Sequence, residues 1–194
     1  NDTEIYETLA LTTNTIAQGE VMQLMNIKNT KLSEKEYMEI IYRKTAILFE
    51  ASAKIGSIIG NSENIENLAK FGLHLGLAYQ LRNDFLDYFG DANLTGKNLT
   101  EDFIEGKITI PIIHSLNNSG KQEKIIIEKA ICENDISLID SIIDILRKNK
   151  SDIYIQERII EQTNIALNSL SSLQECVYKE KLTELALFCQ HRIK

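Results

Sequence analysis

The chain has 194 residues, 43% of them hydrophobic and 25% charged, which is enough to build one sizeable core. Its net charge of −7 argues against nonspecific binding to nucleic acids, which requires a basic face. No apolar run approaches the roughly eighteen residues of a membrane span and no signal peptide is visible, so we expect a cytoplasmic protein that is not integral to a membrane. Three widely spaced cysteines without a CxxC pair indicate free, buried thiols in a reducing compartment.

The scarcity of helix breakers predicts an all-α protein. Only one proline and nine glycines occur, and apolar residues recur with the period of a helix over long stretches. Ser33 and Glu36 have the spacing of a capping box, so the second helix should begin there. The predicted helices cover about 4–25, 33–59, 62–89, 108–117, 121–131, 136–148, 152–170 and 178–192, with a glycine-punctuated loop at 90–106.

The polar segment at 117–122 is the clearest internal boundary, and no repeat or flexible linker is visible. We therefore expect a single helical domain over 1–194. Its core helices should lie within about 1–117, and a set of shorter peripheral helices should occupy 118–194.

One helix carries an unusual row of polar side chains within "GLAYQLRNDFLDYFGD" at 76–91. Gln80, Asn83, Asp84 and Asp87 follow the spacing i, i+3, i+4 and i+7, which places them on one face. A solvated face would explain this pattern. A cluster of carboxylates that holds a metal would explain it equally well, because buried carboxylates repel one another and need cationic partners.

Neighbouring segments favour the metal. Lys44 and Thr45 lie in the mostly apolar helix "RKTAILFEAS", and Lys97 and Lys107 lie in and beyond the loop that follows the carboxylates. Magnesium prefers oxygen ligands and is commonly bound by one or two carboxylates together with substrate phosphate oxygens. Lysines can neutralise the remaining phosphate charge. The sequence therefore predicts a site for magnesium and a diphosphate.

These segments resemble those of the all-trans polyprenyl diphosphate synthases. "GLAYQLRNDFLDYFGD" is similar to the second aspartate-rich segment of that family, "RKTAILFEAS" to its Lys-Thr element, and "GKNLTEDFIEGKITIP" to its G-K-x-x-G-x-D-x-x-E-G-K-x-T-x-P segment. The match is to the C-terminal two-thirds of the family and covers essentially the whole chain. It implies a helical bundle of the isoprenoid-synthase type, usually a homodimer. The family condenses isopentenyl diphosphate with an allylic diphosphate and uses magnesium to draw off the leaving diphosphate.

The resemblance also implies roles for individual residues. Lys44 and Gln80 would contact the allylic diphosphate, and Thr45 would lie close to the allylic carbon that becomes cationic. Asp84 and Asp87 would hold magnesium directly or through water. Asn83 stands where the family has its first aspartate of this segment, and its carbonyl oxygen would bind the metal more weakly.

The loop after the carboxylates carries the remaining predicted contacts. Lys97 would reach the same diphosphate. Lys107 either contacts the diphosphate as well or forms a salt bridge with Asp102 that fixes the loop. The family has glycine where Thr100 stands in this chain, a change that affects the shape of the loop.

The family's first aspartate-rich motif has no counterpart here, since no "DD" occurs in the chain. That motif normally lies upstream, and the chain begins with Asn1, so we expect the N-terminal part of the protein to be missing from this sequence. The form "EGKITIP" and the C-terminal tail resemble the medium- and long-chain synthases, such as octaprenyl enzymes that make quinone side chains. The alternatives are a non-catalytic partner subunit of a heteromeric synthase and, with less support, a terpene cyclase.

Overall fold

The computed structural model describes residues 2–90 and 100–193, and the regular secondary structure in these ranges is entirely helical, as predicted. None of these helices is both long and apolar enough to cross a bilayer. The α-helices are α1 (Asp2–Met25), α2 (Glu34–Ile41), α3 (Ile47–Ile59), α4 (Ile65–Phe89), α5 (Glu101–Ile104), α6 (Ile110–Asn118), α7 (Lys121–Glu133), α8 (Ile139–Lys148), α9 (Ser151–Ser169) and α10 (Val177–His191).

The predicted start of the second helix is confirmed, but the helix is not continuous. Ser33 Oγ accepts a hydrogen bond from the Glu36 amide at 3.2 Å, and the Ser33 amide donates to Glu36 Oε2 at 2.9 Å. A π-helical segment, Tyr42–Ala46, then separates α2 from α3. The apolar periodicity continues on both sides of this single widened turn, and residue spacing alone does not mark where the turn widens. Such segments are frequent at functional sites.

Two glycines bring α4 close to the preceding helix. A Cβ atom on Gly72 would overlap the carbonyl oxygen of Phe49, and one on Gly76 would lie 2.6 Å from the Cα atom of Ala46. Any larger residue would force the two backbones apart. The close approach sets the distance between the π-helical segment and the polar face of α4.

The helix α9 departs from the predicted division into core and peripheral helices. Although it lies within 118–194, it packs along α4. Ile155 and Ile159 are 0% and 1% exposed and belong to the same hydrophobic cluster as Leu77 and Leu81. Their i, i+4 spacing gives α9 an apolar stripe that α4 covers, so the boundary at 117 does not exclude this helix from the core.

The cysteines are free, but the prediction that all three are buried was wrong. Cys189 is buried on α10, whereas Cys132 and Cys176 are exposed. Cys132 lies near the end of α7, and Cys176 precedes the first residue of α10. Residues at helix termini have fewer covering neighbours than residues in the middle of a packed face.

Gly72→Ala should destabilise the protein. The added methyl group would meet the Phe49 carbonyl and the Ala53 side chain, so we expect the free energy of unfolding to fall by about 1–3 kcal/mol. Gly56→Ala is the matched control, because a Cβ atom on Gly56 of α3 meets nothing within 4 Å. That variant should gain up to about 1 kcal/mol from helix propensity. Urea unfolding measures both, and equal stabilisation by the two substitutions would contradict the close contact between α3 and α4.

Candidate active site

Most of the predicted site residues line one pocket. It lies between the C-terminal end of α1, the α2 and π-helical segments, the polar face of α4, and the chain around 102–109. The predicted residues among its walls are Lys44, Thr45, Gln80, Asp84 and Lys107. The wall also includes Gln23, Tyr37 and Asp102, for which the sequence pattern predicts no contact with the diphosphate or the metal.

Asp84 is the most deeply buried charged group of the pocket, with 1% of its surface exposed. Gln80 Nε2 donates a hydrogen bond to Asp84 Oδ1 at 2.8 Å, and the Tyr37 hydroxyl donates to Asp84 Oδ2. Burial, together with the negative charge of Asp102, raises the pKa of Asp84 to about 8. At neutral pH the Asp84 carboxyl group is therefore mostly protonated, and additional positive charge nearby would favour its ionised form.

Asp87 lies one turn further along α4, and its side chain is hydrogen-bonded to the backbone at the start of α5. Its carboxylate accepts hydrogen bonds from the backbone amides of Glu101 at 3.0 Å and Asp102 at 3.3 Å. Burial and the Asp102 charge raise the pKa of Asp87 to about 7. Thr100 adopts φ +67°, in the left-handed region that favours glycine. The threonine thus keeps the backbone conformation that the family's glycine would adopt easily.

The π-helical segment directs its two predicted residues to different helices. Lys44 Nζ donates a hydrogen bond to Gln23 Oε1 at 2.6 Å and forms an ion pair with Glu20 at 3.1 Å, both on α1. Thr45 Oγ1 donates to Gln80 Oε1 at 3.0 Å, on α4. Through these two adjacent residues, the π-helical segment contacts both α1 and α4 at the pocket.

Lys107 forms the predicted ion pair with Asp102, with Nζ and Oδ1 3.1 Å apart, and a second one with Glu105 at 2.5 Å. Burial lowers the pKa of Lys107, but the ion pairs with Glu105 and Asp102 outweigh it and raise the pKa above its ordinary value. The residue therefore remains a cation in the pocket wall. Its contact with a diphosphate stays a prediction.

Of the predicted residues that the structure describes, Asp87 and Asn83 are not among those that line the pocket. The side-chain oxygen of Asn83 accepts a hydrogen bond from the guanidinium group of Arg192, which also lies 4.2 Å from the centroid of the Tyr79 ring. A metal at Asn83 would compete with that guanidinium, and the metal-binding role of Asn83 stays a prediction. Lys97 lies outside the described residues.

Sequence reasoning missed two side chains that position the site. Gln23 binds Lys44, and Tyr37 binds Asp84. A weak signal existed for Tyr37, because it precedes Lys44 by seven residues and so lies near the same face of the helical stretch. For Gln23, the spacing of residues along α1 does not identify Lys44 as its partner, since Lys44 belongs to another helix.

The donor atoms of the pocket fit a hard divalent cation. Carboxylate, amide and hydroxyl oxygens line it, and the described residues of its lining include neither histidine nor cysteine. Within residues 2–90 and 100–193, no three carboxylate, imidazole or thiol groups form a metal cage. A cation bound by Asp84 and Asp87 would take its other ligands from phosphate oxygens and water, which is the binding mode that suits magnesium.

Asp84→Asn removes the ionisable group and keeps the size of the side chain. Because the folded-state pKa of about 8 lies above the ordinary value, the stability that Asp84 contributes is fully present below about pH 4 and is lost as the pH rises through about 8. We expect the free energy of unfolding of the metal-free wild-type protein to fall between about pH 5 and pH 8 by on the order of a few kcal/mol.

The Asp84→Asn variant should lose less stability over the same interval, with the remaining decrease arising partly from Asp87. Urea unfolding of both proteins at the two pH values, without divalent cations, gives the comparison. A stability difference between them that does not change with pH would show that Asp84 has an ordinary pKa.

Comparison with known proteins identifies the family of the chain. A family model described as polyprenyl synthetase matches residues 1–146. The chain is 37% identical over 186 residues to an octaprenyl diphosphate synthase from Haemophilus influenzae and 34% identical to one from Escherichia coli. The crystal structure of a polyprenyl synthase from Caulobacter crescentus, complexed with calcium and isoprenyl diphosphate, superposes with a TM-score of 0.93 at 33% identity.

These alignments cover nearly all of this chain but only part of each relative. The Haemophilus and Escherichia matches span 94% of this chain and 56% and 58% of the relatives, respectively. The Caulobacter match spans 98% of this chain and 60% of the other. A decaprenyl diphosphate synthase from Rhodobacter capsulatus gives a TM-score of 0.92 at 30% identity, over 99% of this chain and 60% of that one. The chain belongs to the polyprenyl synthetase family.

Proposed function

We propose that the protein is a trans-prenyltransferase that condenses isopentenyl diphosphate with an allylic diphosphate to form an all-trans polyprenyl diphosphate, with magnesium as its metal. The observation that carries this proposal is the convergence of Lys44, Thr45, Gln80 and Asp84 on one pocket. These residues come from different helices and supply one cation, a hydroxyl group, an amide group and a metal-binding carboxylate. Such a set suits a metal-bound diphosphate and has no evident role in packing alone.

The reaction breaks the bond between the allylic carbon and its diphosphate oxygen. The double bond of isopentenyl diphosphate supplies the electron pair for the new carbon–carbon bond, and the loss of a proton from the isopentenyl unit restores an alkene. The products are inorganic diphosphate, a proton and a chain longer by one five-carbon unit. When bound, magnesium would supply positive charge that stabilises the leaving diphosphate.

The side chains of this chain would prepare the pocket for that departure. Lys44 is held over the pocket by Gln23 and Glu20, and Lys107 remains protonated through its ion pairs. Preorganised positive charge of this kind stabilises negative charge as it develops on a leaving group. Thr45 and Gln80, hydrogen-bonded to each other, would orient the allylic diphosphate between the two lysines.

Further features support a medium- or long-chain product and a homodimer. The relatives named octaprenyl and nonaprenyl diphosphate synthase are 34–37% identical to this chain. On α1, Leu11, Val21 and Leu24 are 64%, 54% and 64% exposed, and burying such side chains against a second copy of the chain would stabilise a dimer. We place the enzyme in the cytoplasm, where free cysteines remain reduced.

Asp84→Asn tests the proposed function. Removing the charge of a metal ligand should lower the rate of isopentenyl incorporation by about 100-fold or more, because less positive charge reaches the leaving diphosphate. Asp144→Asn, on the exposed face of α8, is the matched control and should leave the rate unchanged. The assay follows labelled isopentenyl diphosphate into products with farnesyl diphosphate and magnesium.

The same assay separates the rival functions. Hydrocarbon release from the allylic substrate alone would identify a cyclase, and product formation only after a second protein is added would identify a partner subunit. If Asp84→Asn matched the wild-type rate, the assignment of the pocket as the catalytic site would be wrong.

A further inference from the structure

Asp84 is held by a hydrogen bond from a helix that carries none of the predicted metal or diphosphate residues. Tyr37 lies in the first turn of α2, and its hydroxyl donates to Asp84 Oδ2 on α4, 47 residues away in sequence. The tyrosine is 3% exposed, so water does not compete for this contact. The interaction is therefore a fixed part of the pocket wall.

The position of the Tyr37 ring is itself well determined. The capping box of Ser33 and Glu36 fixes the first turn of α2, and the Tyr37 amide donates to the Ser33 carbonyl at 3.0 Å. Ile40 and Ile41 are 3% and 4% exposed and anchor the same helix in the main hydrophobic cluster. The hydroxyl thus approaches the carboxylate from a rigid element.

The two donors to Asp84 bind different oxygens. Gln80 binds Oδ1 and Tyr37 binds Oδ2, so together they prevent rotation of the carboxylate about its terminal bond. Each carboxylate oxygen has two lone pairs, and each donor uses one of them. The remaining lone pairs point in directions that the protein has already fixed.

We propose that Tyr37 is a positioning residue that orients the Asp84 carboxylate for its metal ion. This inference rests on the proposed function, since it requires a divalent cation at Asp84. Gln80 alone would restrain only one oxygen, and the carboxylate could then turn away from the metal. Hydrogen bonds that orient a metal ligand typically contribute 10- to 100-fold to metal affinity.

Tyr37→Phe tests the proposal because it removes one oxygen atom and keeps the ring that fills the core. We expect the dissociation constant for Mg²⁺, measured by calorimetry in the presence of inorganic diphosphate, to rise 10- to 100-fold. In turnover assays the magnesium concentration for half-maximal rate should rise similarly. The rate at saturating magnesium and the KM for isopentenyl diphosphate should stay near their wild-type values.

Tyr88→Phe is the matched control. Tyr88 is also a fully buried tyrosine of the main hydrophobic cluster, and its hydroxyl has no hydrogen-bond partner among the residues that the structure describes. Its substitution should leave the magnesium affinity unchanged. An equal loss of affinity in both variants would show that any buried hydroxyl of this core has the effect, and would overturn the proposal.

Asp84→Asn distinguishes the failure of this inference from the failure of the proposed function. If Asp84→Asn weakens magnesium binding but Tyr37→Phe binds with the wild-type constant, then Tyr37 does not position the metal ligand and the metal site stands. If the wild-type and Asp84→Asn proteins bind magnesium equally, the metal site itself is wrong, and the role of Tyr37 is wrong with it.

Discussion

The burial of the Asp84 carboxyl group is the constraint on which the rest of the site depends. An ionised carboxylate with 1% exposure loses most of its hydration, and hydrogen bonds from Gln80 and Tyr37 compensate only part of that loss. The nearby charge of Asp102 makes ionisation still less favourable. The Asp84 carboxyl group therefore lies in a buried environment that disfavours its ionised form. A divalent cation bound beside it would stabilise that ionised form. A site with this property binds its metal more tightly as the pH rises and the carboxyl group ionises, so the metal affinity depends on pH.

Close packing of the helices sets the distances between the residues that surround Asp84 and so the width of the pocket. Gly72 and Gly76 allow α4 to approach α3 at backbone distance, and a Cβ atom on Gly19 of α1 would lie 2.6 Å from the Lys44 amide nitrogen. These contacts hold the π-helical segment between α1 and α4. Lys44 can then reach Gln23 on one side while Thr45 reaches Gln80 on the other. A regular α-helix would rotate these adjacent side chains differently, so the widened turn and the small residues act together.

The sequence was sufficient for the features that depend on short-range spacing. Helical periodicity and the capping box at Ser33 located most of the helices, and the spacing from Gln80 to Asp87 placed the polar residues on one face of α4. It was insufficient wherever a side chain finds its partner on another helix. The Tyr37–Asp84 and Lys44–Gln23 contacts join residues 47 and 21 positions apart, and α9 enters the core through packing against α4. Periodicity identifies the buried face of a helix but does not identify the helix that covers it.

The contact between Asn83 and Arg192 illustrates how one departure from the family pattern affects the charge of the whole site. An aspartate at position 83 would form an ion pair with the guanidinium group and neutralise it. The amide oxygen of Asn83 accepts the same hydrogen bond without removing the positive charge. Arg82 donates to the backbone carbonyl of Arg192 at 2.8 Å, so the C-terminal segment is fastened to α4 beside the polar face. Relative to aspartate, asparagine therefore removes one negative charge from the polar face of α4, and the positive charge of Arg192 has no ion-pair partner at position 83. This single change makes the region less repulsive to an anionic ligand, which partly offsets the weaker attraction for a cation at position 83.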